Sequence, residues 1–467
     1  MSCLDKTDLA LPMSSQRQSK DVVLEETWTI PFGLVRNPRA RPKLLADNVS
    51  QSLIEYYIYH TSRRLAGNFD ECSPFVTHAL TLAWSDDTLL HTILATSASH
   101  LLYLFPKYET LSKYHYGQAV TRIQKDVSKW EILSGVDRMA LLASVLSLCW
   151  YEVRFIHNFP GPRYLGTDRG PKIVDCNPRG SLYHHLRATS HIFKKLEDHS
   201  GPIDQDLLGF YVEQYAYLAI VSNITLNPGV FGRAVEFDTA KVPLALINYG
   251  SRIYGFMFGY SHQLFETIPR IACLASVFAQ YPVDREAICE FKLLERRILD
   301  WKPEESRLLS TKVWDQSKTT PTLPLHLHND KRDQNLILAG LVYQQACLVY
   351  LYCCVHGNRR PDEALRGKIE ECIGTFLELF SKIPHDCPAW TTTMWPIIVV
   401  GSCINDLGQR SLMESVISGS NFNMLAVERT HQLLRWIWDA HDVDDTIYGP
   451  NGIETLIGRK GFNICMG

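Results

Sequence analysis

The stretch "LLHTILATSASHLLYL", Leu89 to Leu104, constrains the fold more than any other part of the chain. It is almost wholly apolar, Asp86 and Asp87 precede it, and Pro106 follows it. An acidic residue at the entry and a proline past the exit are start and stop signals of a helix. A bilayer span needs about 20 apolar residues, and this run is shorter and carries His91 and His100. A helix that is apolar on every side has to be enclosed by other helices. The run therefore reads as a core helix of a soluble protein. Ala95, Ser97, Ala98 and Ser99 are small enough to let neighbouring helices approach closely. His91 and His100 are then expected to be hydrogen-bonded polar groups at the ends of the buried face.

The same grammar recurs along the chain. "SLIEYYIYHTSRRLAG" has helical spacing and stops at Gly67, and Ser73–Pro74 opens the next helix. "KYETLSKYHYGQAVTRIQKDVSKW" is amphipathic, and "DRMALLASVLSLCWYEVRF" is apolar enough to be a central helix. Residues 157–180, rich in proline and glycine, form a loop. Helical patterning resumes at "SLYHHLRATSHIFKKL" and continues over Gln205–Ile224, Ser261–Gln280, Arg285–Trp301, Gln334–Val355, Arg366–Phe380, Thr392–Asp406 and Ala426–Ala440. Strand signals are scarce. The fold class is all-α, a large multi-helix, bundle-like unit over 46–467. Residues 1–45 are expected to be a flexible, disordered leader. Its basic patch of Arg36, Arg39, Arg41 and Lys43 reads as a solvated linker or as a weak import or phosphate-contacting signal.

Charge and cysteine usage narrow the function. The net charge is −3 and charged residues are 21%, so nothing marks a polyanion-binding protein. The N-terminus lacks the continuous apolar core of a secretion signal. The 13 cysteines are scattered with no CxxC pair, which argues for reduced thiols and against a structural zinc site.

Catalytic patterns are incomplete. His184 and His191 lie two helical turns apart, about 10 Å, too far to share one metal ion. His326, His328 and Asp330 lie in a predicted loop, and Asp442, Asp444 and Asp445 form an acidic cluster that reads as a solvated helix end rather than a Mg²⁺ site. There is no phosphate-binding loop, GxSxG or HExxH. No metal and no cofactor are expected.

Read in order, several segments resemble the fungal-specific transcription factor domain, the regulatory region of fungal zinc-cluster transcription factors. "LLHTILATSASHLLYL" with "YHYGQAVTRI" is similar to the family's leading helix pair. "SLYHHLRATSHIF" resembles its W-x-x-HL-x-GA helix, with Tyr183 in the Trp position. "GFMFGYSHQLFETIPRIACLA" resembles G-x-S-x-E-LF-x-x-I-x-x-I. "LAGLVYQQACLVYLYCCVHG" resembles A-x-x-YR-x-A-x-x-IYL, with Gln344 in place of Arg. "WPIIVVGSCINDLGQRSLMESVI" resembles the WP segment near the family's end. The resemblance covers roughly residues 48–467. The family's six-cysteine zinc cluster has no counterpart, since the first 70 residues hold only Cys3.

The resemblance implies a nuclear transcription regulator without its own DNA-binding zinc cluster. It would control a fungal secondary-metabolic gene cluster through protein partners, either the transcription machinery or a DNA-binding regulator, or through an apolar small-molecule effector. Direct sequence-specific DNA binding and membrane insertion are not expected. The alternative is an enzyme of secondary metabolism that reuses the fold on an apolar polyketide or terpenoid. In either case the candidate pocket lies between the segments 89–104, 139–153, 181–193 and 392–405. Its polar anchors are His91, His100, Trp150, His184, His185 and Trp395.

Overall fold

A computed structural model describes residues 42–69, 72–155, 180–197, 204–222, 255–303, 330–356, 360–420, 425–444 and 446–460. Residues 1–41 of the leader, with Arg36, Arg39 and Arg41, residues 157–179 of the predicted loop, His326, His328 and Asp445 lie outside the described residues, while Lys43–Leu45, assigned to the leader, is a 3-10 turn that buries Leu45 in the core. Every regular element among the described residues is helical.

The first half is built around the core helix. Helix α1 (Asn48–Tyr56) starts on Asp47, whose carboxylate accepts from the Ser50 amide at 2.9 Å. The chain then passes through short turns, Tyr57–Thr61 and Phe75–Leu80, into α2 (Asp87–Leu104). Asp86 caps α2 by accepting from the Leu89 amide at 2.7 Å. Every residue of α2 from Thr88 to Leu101 is buried. Helices α3 (Glu109–Val127) and α4 (Gly135–Phe155) pack along it, as does α1. The small residues of α2 mark the close crossings. Ser97 Oγ donates to the Leu53 carbonyl at 2.6 Å, and Ser112 Oγ of α3 donates to the Ala95 carbonyl at 3.3 Å. Helices α5 (Gly180–Glu197) and α6 (Gln205–Val221) complete this half against α4.

The second half contains α7 (Thr267–Gln280), α8 (Arg285–Leu299), α9 (Asp330–Cys353), α10 (Glu363–Phe380), α11 (Met394–Gly401), α12 (Leu407–Ser418), α13 (Leu425–His441) and α14 (Gly449–Lys460). Helix α9 is its axis and touches α7, α8, α10, α11 and α14. Its Lys331–Cys353 stretch is long and apolar enough to cross a membrane by length and composition, and most of it is buried inside the protein. Helix α13 packs on α11 and reaches across to α4, joining the two halves.

Two predicted helices are broken in the structure. The run over Ser261–Gln280 splits at Glu266 into a single turn, His262–Phe265, and α7. Pro269 sits in the first turn of α7, where its missing N–H costs nothing. In a helix running through from Ser261 its ring would strike the carbonyl four residues back. The run over Thr392–Asp406 becomes a 3-10 turn (Pro388–Thr392) followed by α11, which ends at Gly401. Asp406 then caps a separate helix, α12, through the Gln409 amide at 2.8 Å.

Candidate functional site

The six predicted anchors fall into three groups. His91 and His100 are both buried on α2, as expected, and both are hydrogen-bonded. His100 Nδ1 meets Thr61 Oγ1 at 3.0 Å. His91 Nδ1 meets Nδ1 of His115 on α3 at 2.9 Å, so one ring donates and the other accepts. Burial pulls both rings down to about 4, with Arg122 adding to the effect on His91. The pair is neutral at physiological pH, an internal strut between α2 and α3. His184 is exposed on α5. His185 lies within 3.8 Å of the Glu152 carboxylate, which accepts from the Tyr116 hydroxyl at 2.7 Å. That cluster ties α3, α4 and α5 together.

Trp150 and Trp395 form the third group. They stand at opposite ends of one continuous column of rings. Trp150 of α4 stacks on Tyr217 of α6, with centroids 6.1 Å apart. Tyr217 touches Phe265 at 5.9 Å, and Phe265 touches Tyr343 of α9 at 4.4 Å. Tyr343 lies parallel to Trp395 of α11 at 5.9 Å. Aromatic contacts of this kind hold their partners by packing and by quadrupole geometry. The column therefore spans both halves of the protein. Its hydrogen bonds are unevenly met. Trp150 Nε1 donates to Gln214 Oε1 at 2.8 Å, and the Tyr343 hydroxyl donates to the Thr392 carbonyl. Trp395 Nε1 and Gln214 Nε2 are buried donors with no hydrogen-bond partner among the described residues.

Beside the column lies a group that sequence reasoning missed. Glu213 of α6 is fully buried. Its Oε1 accepts from the Met257 amide at 2.8 Å and from the Phe258 amide at 3.3 Å, and its Oε2 accepts from the Gly255 amide at 3.1 Å. The segment "GFMFG" is thereby wrapped around a carboxylate. Gly255 and Gly259 adopt φ of 68° and 53°, the left-handed region where a side chain is strained. The same loop accepts from Asn68: backbone amide to the Phe256 carbonyl at 3.0 Å, side-chain amide to the Gly255 carbonyl at 3.2 Å. Arg332 of α9 in turn donates to Asn68 Oδ1 at 2.7 Å. One acidic residue inside the apolar run "FYVEQYAYLAIV" was the available signal.

The acidic cluster near the C-terminus is occupied by cations from the chain itself. Asp442 takes both Nη atoms of Arg410, at 2.9 and 3.0 Å. Asp444 is held near 2 by the Thr446 hydroxyl and by Arg459. Among the described residues no three His, Cys, Asp or Glu side chains converge as a metal site would require. Two of the concavities on the described residues are set apart from the six anchors. One is an open groove along α8 at Cys289 and Leu293. The other is a cleft of about 400 Å³ between α10 and the start of α12, with Arg366, Asn405, Tyr448 and Cys403 on its walls.

The family model for the fungal specific transcription factor domain matches residues 52–457, most of the chain and both halves of the helical body. The chain belongs to that family. No curated protein and no solved structure matches it. The "GFMFG" loop, the aromatic column and α9 all lie inside the matched region of this fungal transcription-factor domain. Its role is that of a transcription regulator, and its internal polar groups serve as struts and caps around a tightly packed interior.

Proposed function

We propose that this domain is the regulatory part of a nuclear protein that controls a fungal secondary-metabolic gene cluster. It passes its state to the transcription machinery, or to a DNA-binding regulator, through protein contacts. An apolar small molecule bearing a hydrogen-bond acceptor sets that state at the aromatic column. The family match over 52–457 carries the regulatory reading. The effector reading is supported by Trp395 Nε1 and Gln214 Nε2, unpartnered donors near the two ends of the column. An unmet buried donor costs about 1–3 kcal/mol, which a carbonyl or hydroxyl of the effector would recover. The column is filled by its own rings, so the effector binds a minor, opened arrangement and shifts the population toward it. With a net charge of −3 the chain has little cation excess to spend on phosphates, so it acts on DNA through a partner.

Deletion of the gene, followed by transcript and metabolite profiling, tests this reading. Loss of transcripts across one gene cluster supports it. Persistence of all transcripts with accumulation of a single intermediate indicates an enzyme instead. Trp395→Phe keeps an aromatic side chain, though a smaller one, and removes the donor, and it is expected to blunt the transcript response to pathway metabolites while the protein stays folded.

A further inference from the structure

The cleft between α10 and α12 has a thiol in its wall and a second thiol in contact with the first. Cys403, in the turn after α11, lines the cleft. Its sulfur lies 3.6 Å from the sulfur of Cys353, the last residue of α9. Tyr448 lines the same cleft. The chain folds tightly over the pair. Gly449 has φ of 63°, its amide donates to the Ser402 carbonyl at 3.1 Å, and a Cβ there would sit 3.3 Å from Cys353 Sγ and 3.5 Å from Cys403 Sγ. A residue with a side chain would wedge against both sulfurs, and glycine leaves them in contact with each other.

We propose that Cys353 and Cys403 are a peroxide-responsive dithiol that closes to a disulfide, with cleft-facing Cys403 as the attacking sulfur and Cys353 as its resolving partner. The asymmetry comes from the surroundings. Cys403 lines the cleft, and its sulfur touches both the Cys353 sulfur, at 3.6 Å, and the Val399 carbonyl, at 3.7 Å. Cys353 is not among the residues that line that cleft, and its hydrogen bond with Cys403 and its burial both push its own thiol well up. Burial pushes Cys347 up to about 12 and Cys387 up to about 11, which keeps them protonated and inert.

The chemistry balances with hydrogen peroxide as oxidant. The Cys403 sulfur donates an electron pair to one peroxide oxygen, and the O–O bond breaks. Hydroxide leaves and takes up the thiol proton as water, so Cys403 becomes a sulfenic acid. The Cys353 sulfur then attacks the Cys403 sulfur. The S–S bond forms, the S–O bond breaks, and the departing hydroxide takes the Cys353 proton as a second water. The dithiol loses two electrons and the peroxide gains them. Closing the sulfurs from 3.6 Å to a bond of about 2 Å draws the end of α9 onto the turn after α11. Trp395 stands on that same helix, so the oxidised form changes the packing at one end of the aromatic column.

The test uses the reduced full chain, treated with hydrogen peroxide in the folded state, then denatured, alkylated and mapped by fragmentation mass spectrometry. Alkylation of Cys353 and Cys403 should be lost together at least about tenfold faster than that of neighbouring Cys354, with a linked 353–403 peptide appearing. In Cys353→Ser the reaction should stop at the sulfenic acid, and dimedone should label Cys403. In Cys403→Ser dimedone should not label Cys353. Survival of both thiols in the treated wild-type chain overturns the proposal, and this holds whether or not the variants fold. Dimedone labelling of Cys353 in place of Cys403 overturns the assignment of roles.

Discussion

Replacing Glu213 by glutamine changes one atom type at the junction of the two halves. In the best placement the new Oε1 keeps the Met257 and Phe258 amides, the contacts now made at 2.8 and 3.3 Å. The new Nε2 then faces the Gly255 amide, where Oε2 accepts at 3.1 Å, so two donors confront each other out of water. A hydrogen bond to a charged group is worth about 1.5–3 kcal/mol, and a buried donor left unmet costs about 1–3 kcal/mol. Relief from burying a charge offsets part of this. The expected net loss is about 2–3 kcal/mol. Glu213→Leu strands all three amides and should cost about 4–6 kcal/mol, less than three separate penalties because the loop can relax. Urea unfolding followed by tryptophan fluorescence reads the totals. Amide hydrogen exchange reads the pattern: Gly255 alone loses protection in Glu213→Gln, whereas Gly255, Met257 and Phe258 all lose it in Glu213→Leu. A Glu213→Gln chain within about 0.5 kcal/mol of wild type, with Gly255 still protected, would refute the assignment of this carboxylate as the loop's organiser.

The remaining predictions follow from the interior. The His91–His115 pair is neutral in the fold and titrates near 4, against about 6.5 in the unfolded chain. The unfolded chain therefore binds more protons between those values, and stability falls as pH drops from about 6.5 to 4, then levels off. Each ring should contribute about 1–2 kcal/mol of that loss after solvent screening. The urea midpoint should fall between pH 7 and pH 5, and the fall should shrink in the double variant His91→Met, His115→Leu. Gly401→Ala should destabilise by about 1–3 kcal/mol, because the added Cβ would lie 2.5 Å from Leu434 Cδ2. Adding Leu434→Val should return part of that loss in the same urea assay.

Much of the fold was legible because helix signals are local. Asp86 and Pro106 bracket α2 in the sequence just as they do in space, and the small residues of α2 do mark its close crossings. The errors have local causes too. The run predicted over Ser261–Gln280 contains Pro269, which belongs in the first turn of a new helix. Helices α12 and α14 fall outside the predicted runs, and α14 starts with Gly449–Pro450–Asn451–Gly452, a sequence that looks like a turn. Tertiary packing makes it a helix: Gly449 fits over the two sulfurs, and Gly452 fits against the backbone of Ile447, 2.7 Å from where a Cβ would stand.

The candidate site was harder to read, and the reason is physical. A histidine inside an apolar helix carries no mark of whether its partner is a ligand or another side chain. His91 found His115 and His100 found Thr61, partners 24 and 39 residues away. Trp150 and Trp395 were candidates as polar anchors of a pocket; they stand at the two ends of one column of rings, and the rings between them come from three other segments. Glu213 was the stronger signal. A carboxylate inside an apolar helix is expensive unless several donors meet it, so its presence implied a donor-rich loop elsewhere in the chain. "GFMFG" is that loop: its flanking glycines allow the left-handed turns that aim three successive backbone segments at one side chain. This junction couples α6 to the Phe258 and Phe265 rings, which touch each other at 4.6 Å and both touch Tyr217. Loosening Glu213 should therefore loosen the middle of the aromatic column. In an effector-responsive domain, Glu213→Gln should behave as if partly opened, with the transcript response shifted even where the protein remains folded.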